Sequence, residues 1–194
     1  MDRMIRCITS DGALMAAAVD TTEIAMIAQE LHHTSAVATA ALGRMLSAAS
    51  LMGAMLKKEN AALTLKINGG GPLGSVVAIG DSHGNVRGYV EHPEVELPLK
   101  PNGKLDVGGA LGQGVMNVIK DMGLKEPYSG QTILQTGEIA EDLTYYFATS
   151  EQVPSSVGLG VLMEHDNTVR CAGCFTVQVL PFIEDEVLIK LEQN

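Results

Sequence analysis

Apolar positions change their spacing several times along the chain, and each change predicts an element. Met4, Arg6 and Ile8 alternate into Asp11-Gly12, and Leu14 to Val19 leads out, so residues 3–19 read as a β-hairpin. Asp20-Thr21-Thr22-Glu23 reads as a capping box with Asp20 as the N-cap. Ile24, Ile27, Ala28 and Leu31 follow at helical spacing, and His32-His33 ends that helix. Thr34 is the predicted cap of a longer helix running to about Lys58, with Lys57 and Lys58 favouring its C-terminal dipole. Ala, Leu, Met, Ser and Gly occupy nearly all its positions. A helix apolar on most sides is enclosed by other elements, so a buried core helix is predicted, not a membrane span.

The middle of the chain shifts to period two. Ala62 to Ile67 alternates as a half-buried strand, Asn68 to Pro72 is a turn, Ser75 to Ile79 a second strand, and Val86 to Val90 a third after the turn at 81–85. These connections are too short for crossover helices, so the strands form an antiparallel meander. Pro93, Pro98 and Pro101 punctuate a loop. Twelve of the 21 glycines lie between Gly69 and Gly114, which predicts a loop or short helix at 108–113 before strands at 115–120 and 129–135. Ile139, Leu143, Tyr146 and Phe147 share one face of a helix over 137–148, whose Glu138, Glu141 and Asp142 read as a solvated face. Val157 to Met163 and Val169 to Leu180 form a closing hairpin around residues 165–167. Val187, Leu188 and Leu191 match a helix period after Glu184-Asp185-Glu186. The predicted fold class is α+β: a largely antiparallel meander packed against helices, one of them long, buried and rich in small residues. The predicted core domain covers 1–182, with a connector over 183–194.

Charge and candidate chemistry narrow the function. The 194 residues carry 13 Lys and Arg against 23 Asp and Glu, a formal charge of −10. That sign argues against a general nucleic-acid binder or a polybasic membrane docker. Three cysteines and no secretion signature fit the reducing cytoplasm. Cys7 reads as a core residue. Cys171 and Cys174 form one CxxC within a strand pattern, which favours a structural pair over a redox dithiol and supplies only two of the four ligands zinc needs. The glycine-rich run Asn68 to Gly74 lacks the GK[ST] ending of a phosphate loop, and Asp81, Ser82 and His83 lie too close along one turn for a triad. No HExxH is present. Tyr145, Tyr146 and Phe147 read as core and rim residues. Met45, Met52 and Met55 permit an adaptable apolar surface or fill an ordinary core. No catalytic residue, cofactor site or metal site is assigned.

The string Gly123-Leu124-Lys125-Glu126-Pro127-Tyr128-Ser129-Gly130, the run Gly137 to Gln152, and Pro154-Ser155-Ser156 resemble the heat shock protein 33 family. Gly84 to Tyr89, Gly69 to Gly74 and Gly43 to Leu46 match it as well. The resemblance implies a redox-regulated holdase, a chaperone that acts without ATP. It implies an α+β core, a helical linker and a C-terminal zinc domain with a CxC and a CxxC. Oxidation there releases zinc, unfolds the linker and exposes apolar surface to unfolding clients, and the oxidised form tends to a homodimer. This sequence has no CxC, and Cys171 and Cys174 do not fall at the family's zinc motif. The expectation is therefore a core domain with the start of a truncated linker, no zinc of its own, unfolded proteins as partners, and neither nucleic acid nor membrane. The client-binding residues are not assigned; an apolar face of the 62–90 meander is expected to contribute to that surface. Two other readings stand beside this one: a thiol–disulfide oxidoreductase using Cys171 and Cys174, and a structural oligomerisation domain.

Overall fold

A computed structural model describes residues 2–181 and Ile189. In chain order the elements are a hairpin of β1 (Arg3–Ile8) and β2 (Leu14–Asp20), then α1 (Thr22–His32) and α2 (Ala36–Ala54). The meander follows as β3 (Ala62–Gly70), β4 (Ser75–Asp81) and β5 (Val86–Val90), then α3 (Val107–Leu111), β6 (Gly112–Asp121) and β7 (Tyr128–Ile133). The last are α4 (Ala140–Tyr146), one turn of π-helix over Phe147–Glu151, β8 (Ser155–Met163) and β9 (Val169–Val179).

The described residues form two antiparallel sheets, ordered β5-β4-β3-β6-β7 and β1-β2-β9-β8. The α+β expectation therefore holds, but the strands do not make one meander. Both predicted hairpins lie in the four-stranded sheet, joined where Leu14 to Asp20 pairs with Val179 to Gly173. The long helix α2 lies between the sheets, packing on β3, β4 and β5 on one side and on β2, β8 and β9 on the other. Of its 19 residues only Ala36, Arg44 and Ala54 escape full burial. Small side chains are needed because backbones approach closely: a Cβ on Gly80 of β4 would sit 2.0 Å from the Ala49 carbonyl oxygen of α2. Neither backbone can yield locally. Gly80→Ala is expected to destabilise the fold by about 2–3 kcal/mol, the usual cost of overpacking, measured by chemical denaturation. Met45 and Met52 fill this core.

Several local expectations are corrected. Asp20 is the last residue of β2, and its carboxylate accepts from the N–H (3.0 Å) and Oγ1 (2.7 Å) of Thr22. The first-turn N–H groups of Glu23 and Ile24 donate instead to Asp2, at 3.0 and 2.9 Å. A cap supplied by the far end of a strand leaves no local sequence pattern. Ser35, not Thr34, caps α2, accepting from the N–H of Ala38 at 3.3 Å. Thr34 is occupied with Thr39, hydroxyl to hydroxyl at 2.6 Å. The helix stops at Ala54, where the N–H groups of Met55 and Leu56 turn back to Met52 and Gly53, so Lys57 and Lys58 lie outside its last turn. Asn68 to Gly70 continues β3, because Gly69 packs directly on the Leu111 carbonyl, and the turn moves to Gly71–Gly74. Val187, Leu188 and Leu191, on which the last predicted helix rests, and the domain limit at 182 fall outside the described residues.

Candidate functional site

Strand alternation sends every second residue of the four-stranded sheet away from α2. Register aligns these outward residues in rows. One row runs Ile5, Ala18, Phe175, Gly158 from β1 to β8. The next runs Arg3, Asp20, Gly173, Gly160. Ile5 is 69% exposed, Phe175 49% and Leu162 51%. The floor between them is stripped of side chains. Gly158 lets the Phe175 ring lie across it, since a Cβ would meet that ring at 2.2 Å; Gly160 opens onto empty space. The result is an apolar trough of about 1170 Å³ across the sheet, with no helix covering it among the described residues. Scattered exposed apolar residues are ordinary, but a contiguous open patch marks a binding surface.

Charge is confined to the rim. Arg3 and Asp20 stand at one end; Arg44 of α2 and Lys104 line the other. Arg44 is held by Glu138 at 2.7 Å, and Lys100 pairs with both Glu138 and, at 3.5 Å, Asp106. Burial opposes ionisation of Glu138, but the Lys100 ammonium and Arg44 guanidinium outweigh it and hold the carboxyl below its ordinary range. The reading of Glu138, Glu141 and Asp142 as one solvated face is thereby corrected. Only Glu141 is exposed. Asp142 is fully buried and accepts from the N–H groups of Gln135, Thr136, Gly137 and Ile139. Ile139, Leu143, Tyr146 and Phe147 are buried as their spacing predicts, while Tyr145 is 38% exposed.

The cysteines do not come together. Cys7 is exposed on the outer face of β1, not in the core. Cys171 is exposed and Cys174 is buried, three positions apart on β9 and turned to opposite faces of the sheet. Burial pushes the Cys174 thiol up to about 12, so little thiolate exists near neutral pH. A thiol-specific reagent at pH 8 is expected to label Cys7 and Cys171 promptly and Cys174 only after unfolding. Rapid loss of all three thiols, or a Cys171–Cys174 disulfide by mass, would contradict this geometry. Among the described residues, no group of three or more His, Cys, Asp and Glu is placed to hold a metal ion.

The apolar face of the 62–90 meander is not the open one. Leu63, Leu65, Ile67, Val76 and Ala78 are buried against α2. The outward rows mix Thr64, Lys66 and Asn68 with Val77, Ile79 and the exposed Tyr89. Alternation locates two faces per strand, but only packing decides which face is covered. For that reason no sequence signal marks Ile5, Leu162 and Phe175 as a group: each lies in a predicted strand, and cross-strand register alone joins them.

Comparison with known proteins places the whole arrangement. The model of the family described as Hsp33 protein matches residues 2–194. A 33 kDa chaperonin of Lachnoclostridium phytofermentans is 59% identical over 193 residues, covering 100% of this chain and 66% of that protein. The 33 kDa chaperonin of Agathobacter rectalis is 54% identical, covering 100% of this chain and 67% of its own length. The crystal structure of a 33 kDa chaperonin from Thermotoga maritima superposes with a TM-score of 0.93 at 44% identity, over 98% of this chain and 65% of that one. This chain thus spans about two-thirds of the relatives it matches. With a family match across nearly its full length and a shared fold, the chain belongs to the Hsp33 family.

Proposed function

We propose that this chain is an ATP-independent chaperone domain that holds unfolding proteins on the outer face of its four-stranded sheet. One observation carries the reading: Ile5, Leu162 and Phe175 stand exposed around a glycine floor with no covering element among the described residues. Such a face suits clients that share apolar character and no common sequence. Covering roughly 300 Å² at about 25 cal/mol per Å² contributes about 7 kcal/mol gross, from which ordering costs subtract. Binding of that strength holds a client and lets it go without nucleotide hydrolysis.

The relatives' further third is where this reading puts the linker, the zinc thiolates and the redox switch. The residues described here do not fit zinc: Cys171 and Cys174 face opposite ways and lack further ligands nearby. On this reading the linker of a full-length relative seats on the same trough, and a homodimer would compete for it. Three unpaired thiols agree with a cytoplasmic setting.

The test is light scattering of a chemically unfolded client diluted into buffer with this chain at stoichiometric ratios, without ATP, reduced and oxidised. Equal suppression in both states is the expected result. No suppression in either state would overturn the proposal. Suppression confined to the oxidised sample would assign the activity to a Cys171–Cys174 dithiol instead.

A further inference from the structure

A second depression, of about 740 Å³, lies between α1 and the outer edge of β5. Ile27 and Leu31 of α1 line one wall and are 53% and 70% exposed. Val86 and Gly88 of β5 line the other, and Leu46 of α2 lies below. The strand edge is open. β5 is the outermost strand of its sheet and pairs only with β4. Bonds from the N–H of Asp81 to the Asn85 carbonyl (3.0 Å) and from the N–H of Glu91 to the Ser75 carbonyl (2.9 Å) fix the phase of that ladder. Hydrogen-bonded pairs alternate in an antiparallel ladder, so residues 85, 87, 89 and 91 face β4. Val86 and Gly88 therefore turn their N–H and C=O groups outward, and no described loop or helix bonds to them. Neither a proline nor a bulge blunts this edge.

The charge around the depression is opposite to that of the chain. The protein carries −10 overall, yet Arg3 and Arg87 line this depression, both exposed; Arg3 stands across the β1–β2 ladder from Asp20, whereas Arg87 has no ion pair among the described residues. The acidic side chain lining it, Asp2, is engaged by the N–H groups of Glu23 and Ile24. His32 and His83 add no negative charge. An open strand edge supplies main-chain pairing, and side chains beside it supply selectivity.

We propose that this depression binds an extended acidic segment of a partner protein, added as a sixth strand beside β5. Its apolar side chains lie against Ile27 and Leu31, and its carboxylates on the other face meet Arg87. The depression shares Arg3 and Val19 with the rim of the trough, while Ile27, Leu31, Arg87 and the β5 edge line the depression alone.

The experiment is fluorescence anisotropy with the full chain and a labelled eight-residue peptide alternating Glu and Val. Its partners are a Lys–Val peptide and two acidic peptides N-methylated at every second amide, one in each phase. Saturable binding of the acidic peptide is expected, at least ten-fold tighter than the Lys–Val peptide. At least one N-methylated phase should lose ten-fold or more, a change that leaves the protein untouched. Arg87→Glu and Leu31→Asp alter exposed side chains and should each weaken binding five-fold or more, with folding checked by circular dichroism. The proposal is overturned by no saturable binding, by equal binding of the Lys–Val peptide, by full binding of both N-methylated peptides, or by indifference to both substitutions. A doubled mass abolished by Arg87→Glu, without peptide binding, would assign the edge to self-association instead.

Discussion

Asp142→Ala is expected to lower the melting temperature by about 10 °C. The carboxylate is fully buried and accepts from the N–H groups of Gln135 (2.6 Å), Thr136 (3.0 Å), Gly137 (3.4 Å) and Ile139 (2.8 Å). Alanine leaves these donors without an acceptor in a site too enclosed for bulk water. Breaking a buried charged network costs about 3–5 kcal/mol, and each kcal/mol shifts the midpoint by roughly 2–4 °C in a domain of this size. Backbone strain adds to the effect. Ile139 is β-branched yet holds a φ of +73°, a conformation of order 1–3 kcal/mol above the usual wells. The bond from its N–H to Asp142 holds it there. The same turn presents Glu138 to Arg44 and Lys100, so its loss also loosens the charged end of the trough. Asn in place of Asp142 keeps one acceptor oxygen but turns an NH2 group toward an N–H donor, so it should recover part of the loss. Differential scanning calorimetry of the three proteins checks this; a shift below about 2 °C for the alanine variant would show that water or loop rearrangement replaces the carboxylate.

Ile5→Asp/Phe175→Asp is expected to raise the concentration needed to suppress client aggregation by at least ten-fold. The two side chains are neighbours in one cross-strand row, separated only by Ala18. Both are about half exposed or more, so removing them costs the fold little. The double change withdraws roughly 100 Å² of apolar area, about 2.5 kcal/mol gross, and places two carboxylates where a client must shed water. Val77→Asp, on the outward face of the five-stranded sheet, is expected to leave holding unchanged. Equal losses from both proteins would mean that clients do not select the trough. Unchanged holding by the double variant, in a protein of normal melting temperature, would remove the trough from the function.

Features set by near neighbours along the chain were legible without a fold. The α1 and α2 periodicities, the β3–β4–β5 meander, the short helix after Asp106, and the buried face of Ile139, Leu143, Tyr146 and Phe147 all follow from spacing within a few residues. The composition of α2 announced an enclosed helix, because an apolar cylinder has no stable position at a surface. Family membership was also legible, since contiguous strings such as Gly123 to Gly130 survive without knowledge of the fold. Tertiary structure alone decided what depends on distant partners. Asp2 caps α1, the first hairpin pairs with the last, and Asp142 turns inward because four N–H groups meet there. The open face was undecidable from one strand at a time. Each strand announces two faces, and burial of one against α2 is what leaves Ile5, Phe175 and Leu162 on the other.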